Sequence, residues 1–267
     1  MSSNAHPISV WFLAPPGTKR LSPAVAVLNG LAVLVLLAGG LALCFHAITY
    51  SWNWPAMWNS RGQFLQGWLT TVGLSIASLV ASLVIGLLTA TARRGRLILL
   101  RYLGTLYVEF IRGTPLLVQI LILFYVIANA MRIENRYLVG ALALSIFHGA
   151  YISEIIRAGI ESVGQSQLEA ARAVGFDRWQ IYRFVIGPLA FRQMLPPLAG
   201  EFASLIKDSS LLSIIAVNEF TLAAQQVNSR TYSSFEGYFP LAFGYLVLTL
   251  PIFMLVRRLE ERSRYET

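Results

Sequence analysis

The feature that most constrains this chain is a series of six apolar runs, at roughly residues 24–48, 68–92, 113–130, 137–157, 193–215 and 238–256. A helix needs about 20 apolar residues to cross the hydrocarbon core of a bilayer, and each run meets or nearly meets that length. In lipid the backbone polar groups have to be satisfied within the segment, so such runs fold as helices. Composition agrees: 56% of residues are hydrophobic and 13% charged, the latter about half the usual share of a soluble domain. The expected fold class is an all-α polytopic membrane protein with about six transmembrane helices.

The net charge of +8 would point to nucleic acid in a soluble protein. Here the arginines sit in alternate gaps between the apolar runs. Lys19 and Arg20 precede the first run, and Arg93, Arg94, Arg96 and Arg101 follow the second. Arg157, Arg172, Arg178, Arg183 and Arg192 fill the gap after the fourth, and Arg257, Arg258, Arg262 and Arg264 follow the sixth. The remaining gaps hold only Arg61, Arg132, Arg136 and Arg230. This alternation is the positive-inside pattern. It predicts a multi-pass membrane protein with both termini in the cytoplasm, and no nucleic-acid partner. Trp52, Trp54, Trp58 and Trp68 in the first outside loop suit an interfacial belt.

Residues 1–23 form a cytoplasmic tail with Pro7, Pro15 and Pro16. The run at 24–48 is longer than a typical signal-peptide core, so it reads as a retained signal-anchor. The single cysteine, Cys44, allows no disulfide within the chain.

Several residues stand out within the runs. Ser75, Ser78, Ser82 and Gly86 share one helical face, and close helix packing suffices to explain them. Residues 97–111 carry Arg101 and Glu109 and suit a helix along the inner interface. In Arg112–Gly113–Thr114–Pro115, Gly113 breaks that helix, Thr114 can cap the next and Pro115 suits its first turn, making a hinge. Glu109 and Arg112 are spaced to pair, either as a surface ion pair or with a role in the pathway. Glu154 and Arg157 have the same spacing, and Glu154 suits an interfacial position. His148 is deeper and reads as a helix–helix hydrogen-bonding group; no second histidine or cysteine lies at metal spacing.

Glu201 lies eight residues into the fifth run, hence about 12 Å deep at about 1.5 Å per residue. An ionisable group at that depth is usually functional. Glu201, with Asp208 or Ser209, is a candidate lining for a passage, meeting an ammonium group. The alternative is that pairs with Lys207 only shape the helix. Pro196 and Pro197 below it can loosen the helix.

The one strongly polar insert is "SQLEAARAVGFDRWQIYRFVIGP", Ser166 to Pro188. Ser166 and Glu169 are spaced as a capping box, and Gly175 can take the left-handed conformation at the end of that helix. Asp177 and Gln180 are spaced as a second box, flanked by Phe176 and Ile181 at staple positions. The second helix is expected to end before Gly187 and Pro188. Trp179, Tyr182, Ile186 and Leu189 share one side of it. Two capped helices with a glycine joint and small alanines suit a rigid knob that docks into a groove on another protein.

"EAARAVG" resembles the Glu-Ala-Ala signature of the permease subunits of ABC importers. Glu169, Ala170, Ala171, Gly175 and Pro188 match that pattern, while Val185 and Gly187 stand where it has isoleucine and leucine. "FIRGTPLLVQ" (Phe110–Gln119), "AYISEIIRAGIESVGQSQLEAARAVG" (Ala150–Gly175) and "LIKDSSLLS" (Leu205–Ser213) are similar to the polar amino acid (His/Glu/Gln/Arg-type) subfamily, with its type I importer fold.

This resemblance implies a permease core at 67–258 with a coupling loop at 161–190, plus the added span at 24–48 and a cytoplasmic tail at 259–267. It implies a dimer with a second copy or a homologue, two ABC ATPase subunits docked on the loops, and a periplasmic or lipid-anchored amino acid binding protein. Glu169, Ala170, Ala171, Gly175, Phe176 and Asp177 would couple to the ATPase; a capping role for Glu169 is compatible with this. The chain would be a transport subunit of a bacterial cytoplasmic (inner) membrane and not an enzyme, with ATP and magnesium held by the ATPase. Its two lysines, Lys19 and Lys207, lie outside any glycine-rich phosphate loop. The rival reading is an ion-gradient-coupled secondary amino acid carrier, for which inverted repeats would be expected.

Overall fold

The computed structural model describes residues 23–46 and 50–264. The tail with Lys19 and Arg20 lies outside them. The chain divides into two compact units at Trp52 and Asn53. The first contains α1 (Pro23–His46), whose leucines are exposed, as are Val27, Val33 and Val35.

The second unit is helical throughout. A short α2 (Trp54–Asn59) leads into α3 (Arg61–Arg94), then α4 (Ile98–Gly113) and α5 (Leu116–Leu121), which widens into a π-helical turn at Ile122–Ala128. Next come α6 (Arg136–Glu161), α7 (Gln165–Ala173), and α8 (Arg178–Gln180) with a π turn at Ile181–Ile186. The chain continues through α9 (Gly187–Asp208), a 3-10 turn (Ser209–Ile215), α10 (Phe220–Thr231) and α11 (Ser234–Arg264).

Among the described residues, four helices are long and apolar enough to cross a membrane: α1, α3, α6 and α11. The bent pair of α4 with Leu116–Ala128 makes a fifth if it is counted as one span. The expected span at 193–215 differs. It is helical, but Arg192, Glu201, Lys207 and Asp208 make it too polar to qualify by composition. Such a helix is tolerated at membrane depth when its charges meet protein or a water-filled cavity.

The frame is α3 packed along α6. Ser75, Ser78 and Ser82 are fully buried, and Gly86 is buried in line with them. A Cβ on Gly86 would lie 2.5 Å from Ile152 Cγ2, and one on Gly149 would lie 2.7 Å from Ile85 Cγ2. No side chain larger than hydrogen fits at either crossing, so the two glycines set how closely α3 and α6 approach. Ser78 Oγ donates to Ala141 O across this contact at 3.3 Å.

Apolar clusters complete the core. Leu116, Ile120, Leu144, Leu212 and Val217 join α5, α6 and the 3-10 turn. Met57, Phe64, Phe220 and Val227 join α2, α3 and α10. Glu219 caps α10, accepting the Thr221 and Leu222 N–H groups at 2.9 and 2.8 Å and the Tyr245 hydroxyl at 2.9 Å. Burial still pushes its carboxyl above the usual carboxylate range.

Candidate functional site

The polar insert forms two short helices joined at Gly175. Gly175 has φ +83°, a left-handed conformation that glycine adopts without strain. Its N–H bonds to Arg172 O at 3.0 Å and the Phe176 N–H to Ala171 O at 3.1 Å. This is the Schellman pattern, which satisfies the last carbonyls of α7. Asp177 then caps α8. Its Oδ1 accepts the Gln180 N–H at 2.8 Å, and Gln180 Oε1 accepts the Asp177 N–H at 2.9 Å. Two reciprocal bonds two residues after a glycine joint leave little freedom in the angle between the helices.

Three expectations for this insert need correction. α7 starts at Gln165 with Gly164 as its N-cap, so Ser166 falls inside the first turn and makes no capping bond. Among the described residues Glu169 makes no capping bond either; its side chain is exposed. The second helix does not end at Gly187 and Pro188. It passes through the π turn directly into α9. Proline has no N–H, and its ring crowds the carbonyl four residues back. A π turn moves the bonding register past that position. Within it a Cβ on Gly187 would lie 2.9 Å from Tyr182 O, so the departure from leucine at this position fits the widened backbone.

Ala171 is buried, whereas Glu169, Ala170, Gly175, Phe176 and Asp177 are exposed. Val174, Trp179, Tyr182 and Phe184 are 72, 68, 52 and 59% exposed, a dense set of large apolar groups on a segment with capped, polar ends. The Phe176 and Phe184 rings lie 6.2 Å apart.

From this insert, contacts lead to the hinge. Glu154 on α6 is ion-paired to Arg157 at 2.9 Å, to Arg93 of α3, and to Arg112 at the end of α4 at 3.5 Å. Its side chain is only 17% exposed, so it is a largely buried junction between three helices. Arg112 also lies over the Tyr151 ring at 5.3 Å. The expected Glu109–Arg112 pair does not form, because Arg112 turns toward α6.

The chain bends by 110° between α4 and the segment Leu116–Ala128. α4 ends at Gly113, and Pro115, not Thr114, occupies the N-cap position of α5. Thr114 instead donates back to Phe110 O at 2.9 Å, closing α4. Gln119 holds the bend from the other side: its Nε2 donates to Ile111 O at 2.8 Å and to Thr114 Oγ1 at 2.8 Å. Gln119 is inside the quoted hinge stretch, but its role depends on the chain folding back over five to eight residues, which spacing alone does not reveal.

Above this junction lies the polar centre of the helices. His148 of α6 is 1% exposed and sits between two carboxylates of α9. Its Nδ1 is 2.6 Å from Glu201 Oε1, and its Nε2 is 3.5 Å from Asp208 Oδ2. Glu201 and Asp208 are seven residues apart, two helical turns, so both face His148. Asp208 is 36% exposed, which leaves the outer edge of the cluster open. Lys207 pairs with neither carboxylate; its ammonium lies 5.6 Å from the centre of the Phe253 ring. The expected direct Glu201–Lys207 or Lys207–Asp208 ion pair does not form among the described residues. Ser209 is fully buried and donates to Ile206 O at 2.7 Å. α9 runs unbroken through Pro196 and Pro197. His148 was visible as a lone deep histidine; that it bridges the two carboxylates follows only from the packing of α6 on α9.

Known proteins share this architecture. The sequence pattern of the family described as the binding-protein-dependent transport system inner membrane component matches residues 82–265. The glutamine transport system permease protein GlnP of Escherichia coli K12 is 34% identical over 215 residues, covering 79% of this chain and 98% of that protein. The L-cystine transport system permease protein TcyB of Bacillus subtilis 168 is 36% identical over 240 residues, covering 89% and 98%. A crystal structure of an amino acid ABC transporter with histidines superposes with a TM-score of 0.74 at 33% identity, covering 80% of this chain and all of that one. The MetNI methionine ABC transporter, in inward facing conformations, shares the fold with a TM-score of 0.59 at 16% identity.

Proposed function

The chain belongs to the family of binding-protein-dependent transport system inner membrane components, and from that premise we propose that it is the translocating permease of an ATP-driven importer of polar amino acids. The observation that carries this reading is the insert at Gln165–Ile186. It is rigidly capped, exposes large apolar groups, and runs without a break into the helix that carries Glu201.

In this reading Glu169, Ala170, Ala171, Gly175, Phe176 and Asp177 form the docking knob for a separate ATPase, which holds ATP and magnesium. The exposed alanine and glycine permit close approach, and Val174, Trp179, Tyr182 and Phe184 fill an apolar groove on the partner. Movement of the knob passes along two routes. One is α8 through the π turn into α9. The other is α6 through Glu154 to Arg112, so the bend at Gly113–Pro115 shifts when the knob does. A π turn inside a helix is a common site for such a functional adjustment.

Glu201 and Asp208 line the passage and meet the substrate ammonium, with His148 Nδ1 fixing Glu201 and its Nε2 facing Asp208. Ser209 supports the backbone at the top of α9. The amino acid class rests on the relatives, which are named for glutamine and L-cystine. A binding protein would deliver the amino acid at the outer face, and a second permease copy or homologue would complete the pathway. The termini lie in the cytoplasm by the distribution of arginines. The family and its named members favour this over an ion-gradient-coupled carrier.

The test is uptake of radiolabelled glutamine into liposomes holding the permease, its ATPase and its binding protein. Uptake that requires ATP and the ATPase is expected. Uptake driven by a proton or sodium gradient without ATP overturns the reading.

A further inference from the structure

One cavity lies apart from the His148–Glu201–Asp208 cluster. It is a cleft of about 810 Å³ where the end of α3, the start of α4 and the end of α6 meet. Its wall holds four arginines, Arg93, Arg94, Arg101 and Arg157, against one carboxylate, Glu161. Two of these cations are already matched: Arg93 is paired with Glu154, and Arg157 with Glu154 and Glu161. Arg94 and Arg101 make no ion pair with any described residue, so the cleft carries an uncompensated positive charge beside apolar surface. Tyr102 and Thr105 add two hydroxyl groups to the same wall. Gly104 makes room for the arrangement, since a Cβ there would lie 2.7 Å from Arg93 Cγ.

The surface beside the cleft is apolar. On α4 the cleft-lining positions 98, 101, 102 and 105 adjoin a stripe made by Leu99, Leu103, Leu106 and Phe110. These are 70, 52, 64 and 61% exposed, at spacings of four, three and four residues, so they form one face. A soluble anion would use only the arginines. A ligand with a phosphate at one end and hydrocarbon at the other uses both.

We propose that this cleft binds the head group of an anionic phospholipid. The phosphate sits between Arg94 and Arg101, which can donate to it in forked fashion, and Tyr102 and Thr105 donate to its remaining oxygens. The acyl chains lie along the Leu99–Phe110 stripe. Basic clefts between membrane helices are suited to such head groups.

The test is native mass spectrometry of the detergent-purified full chain with added phosphatidylglycerol or phosphatidylcholine, compared with the Arg94→Gln/Arg101→Gln and Arg94→Lys/Arg101→Lys variants. The wild type should retain phosphatidylglycerol over phosphatidylcholine by roughly tenfold or more, the glutamine variant should lose the preference, and the lysine variant, which keeps the charge but not the fork, should keep only part of it. Equal preference in the wild type and the glutamine variant overturns the proposal. Inorganic phosphate at millimolar concentration should not abolish the preference; if it does, the site is one for soluble anions and the lipid assignment falls. A phosphatidylglycerol carrying a photoreactive head group, used on the wild type alone, should label the segment 93–106. Labelling confined to other segments rejects the site even if the glutamine variant fails to fold.

Discussion

His148 Nδ1 and Glu201 Oε1 lie 2.6 Å apart across the contact of α6 with α9, with the imidazole buried and the far side of the ring facing Asp208. Two helices that are separated in sequence by the whole polar insert thus meet at a charge-assisted bond deep in the apolar frame. A hydrogen bond to a charged group contributes about 1.5–3 kcal/mol, and more is lost when one partner is left buried alone.

If Glu201 meets the substrate, Glu201→Gln should lower ATP-driven uptake roughly 10- to 100-fold, the equivalent of one charged hydrogen bond. The yield of folded protein should stay close to that of the wild type, because glutamine can still accept from or donate to His148. Uptake rates in liposomes and gel-filtration yield measure the two separately. Reduced yield with normal uptake per folded molecule would instead assign the pair a purely structural role.

The joint of the insert makes a second prediction. Gly175 needs φ +83°, which proline cannot adopt and which costs other residues about 1–2 kcal/mol. Gly175→Pro, and separately Glu169→Lys, should leave the protein inserted in the membrane but reduce co-purification of the ATPase and abolish ATP-dependent uptake. Unchanged co-purification and uptake in both variants would remove the docking role.

The α3–α6 crossing predicts a purely structural defect. A Cβ on Gly86 would lie 2.5 Å from Ile152 Cγ2 and 3.0 Å from Gly149 O, so the backbones must separate. Gly86→Val should destabilise the protein by about 1–3 kcal/mol or more. A thermal shift assay in detergent reads this as a lower midpoint. A paired Ile152→Ala substitution should recover only part of it, since the Gly149 carbonyl remains.

Glu219 gives a pH dependence. Burial raises its folded pKa above the unfolded value of about 4.3. Its contribution is therefore full below the unfolded pKa and is lost as pH rises through the folded one. The thermal midpoint of the wild type minus that of Glu219→Gln should fall with rising pH across that window. A difference that is flat or grows with pH would show that the capping bonds outweigh burial.

Much of this was legible from local pattern. Six apolar runs marked helices because a bilayer admits little else. Gly175 and the Asp177–Gln180 box could be read directly because capping acts within three or four residues. The same locality explains the misreadings. Ser166 has the right residue type for a cap, but Gly164 takes the N-cap position two residues earlier and the helix begins at Gln165. Gly187 and Pro188 look like a stop, yet the π turn carries the chain past them.

By itself, then, the sequence determined the class of the protein, the membrane-compatible helices and the two capped helices of the insert. All of these rest on periodicity and short-range hydrogen bonding. Only the tertiary structure decided which charges meet. Arg112 could have paired with Glu109 three residues away but turns to Glu154, and Glu201 takes His148 and not Lys207. The reason is distance and dielectric: in a weakly polar interior a charge settles on whichever partner the helix packing brings within reach, and that packing is set by crossings such as Gly86 against Ile152.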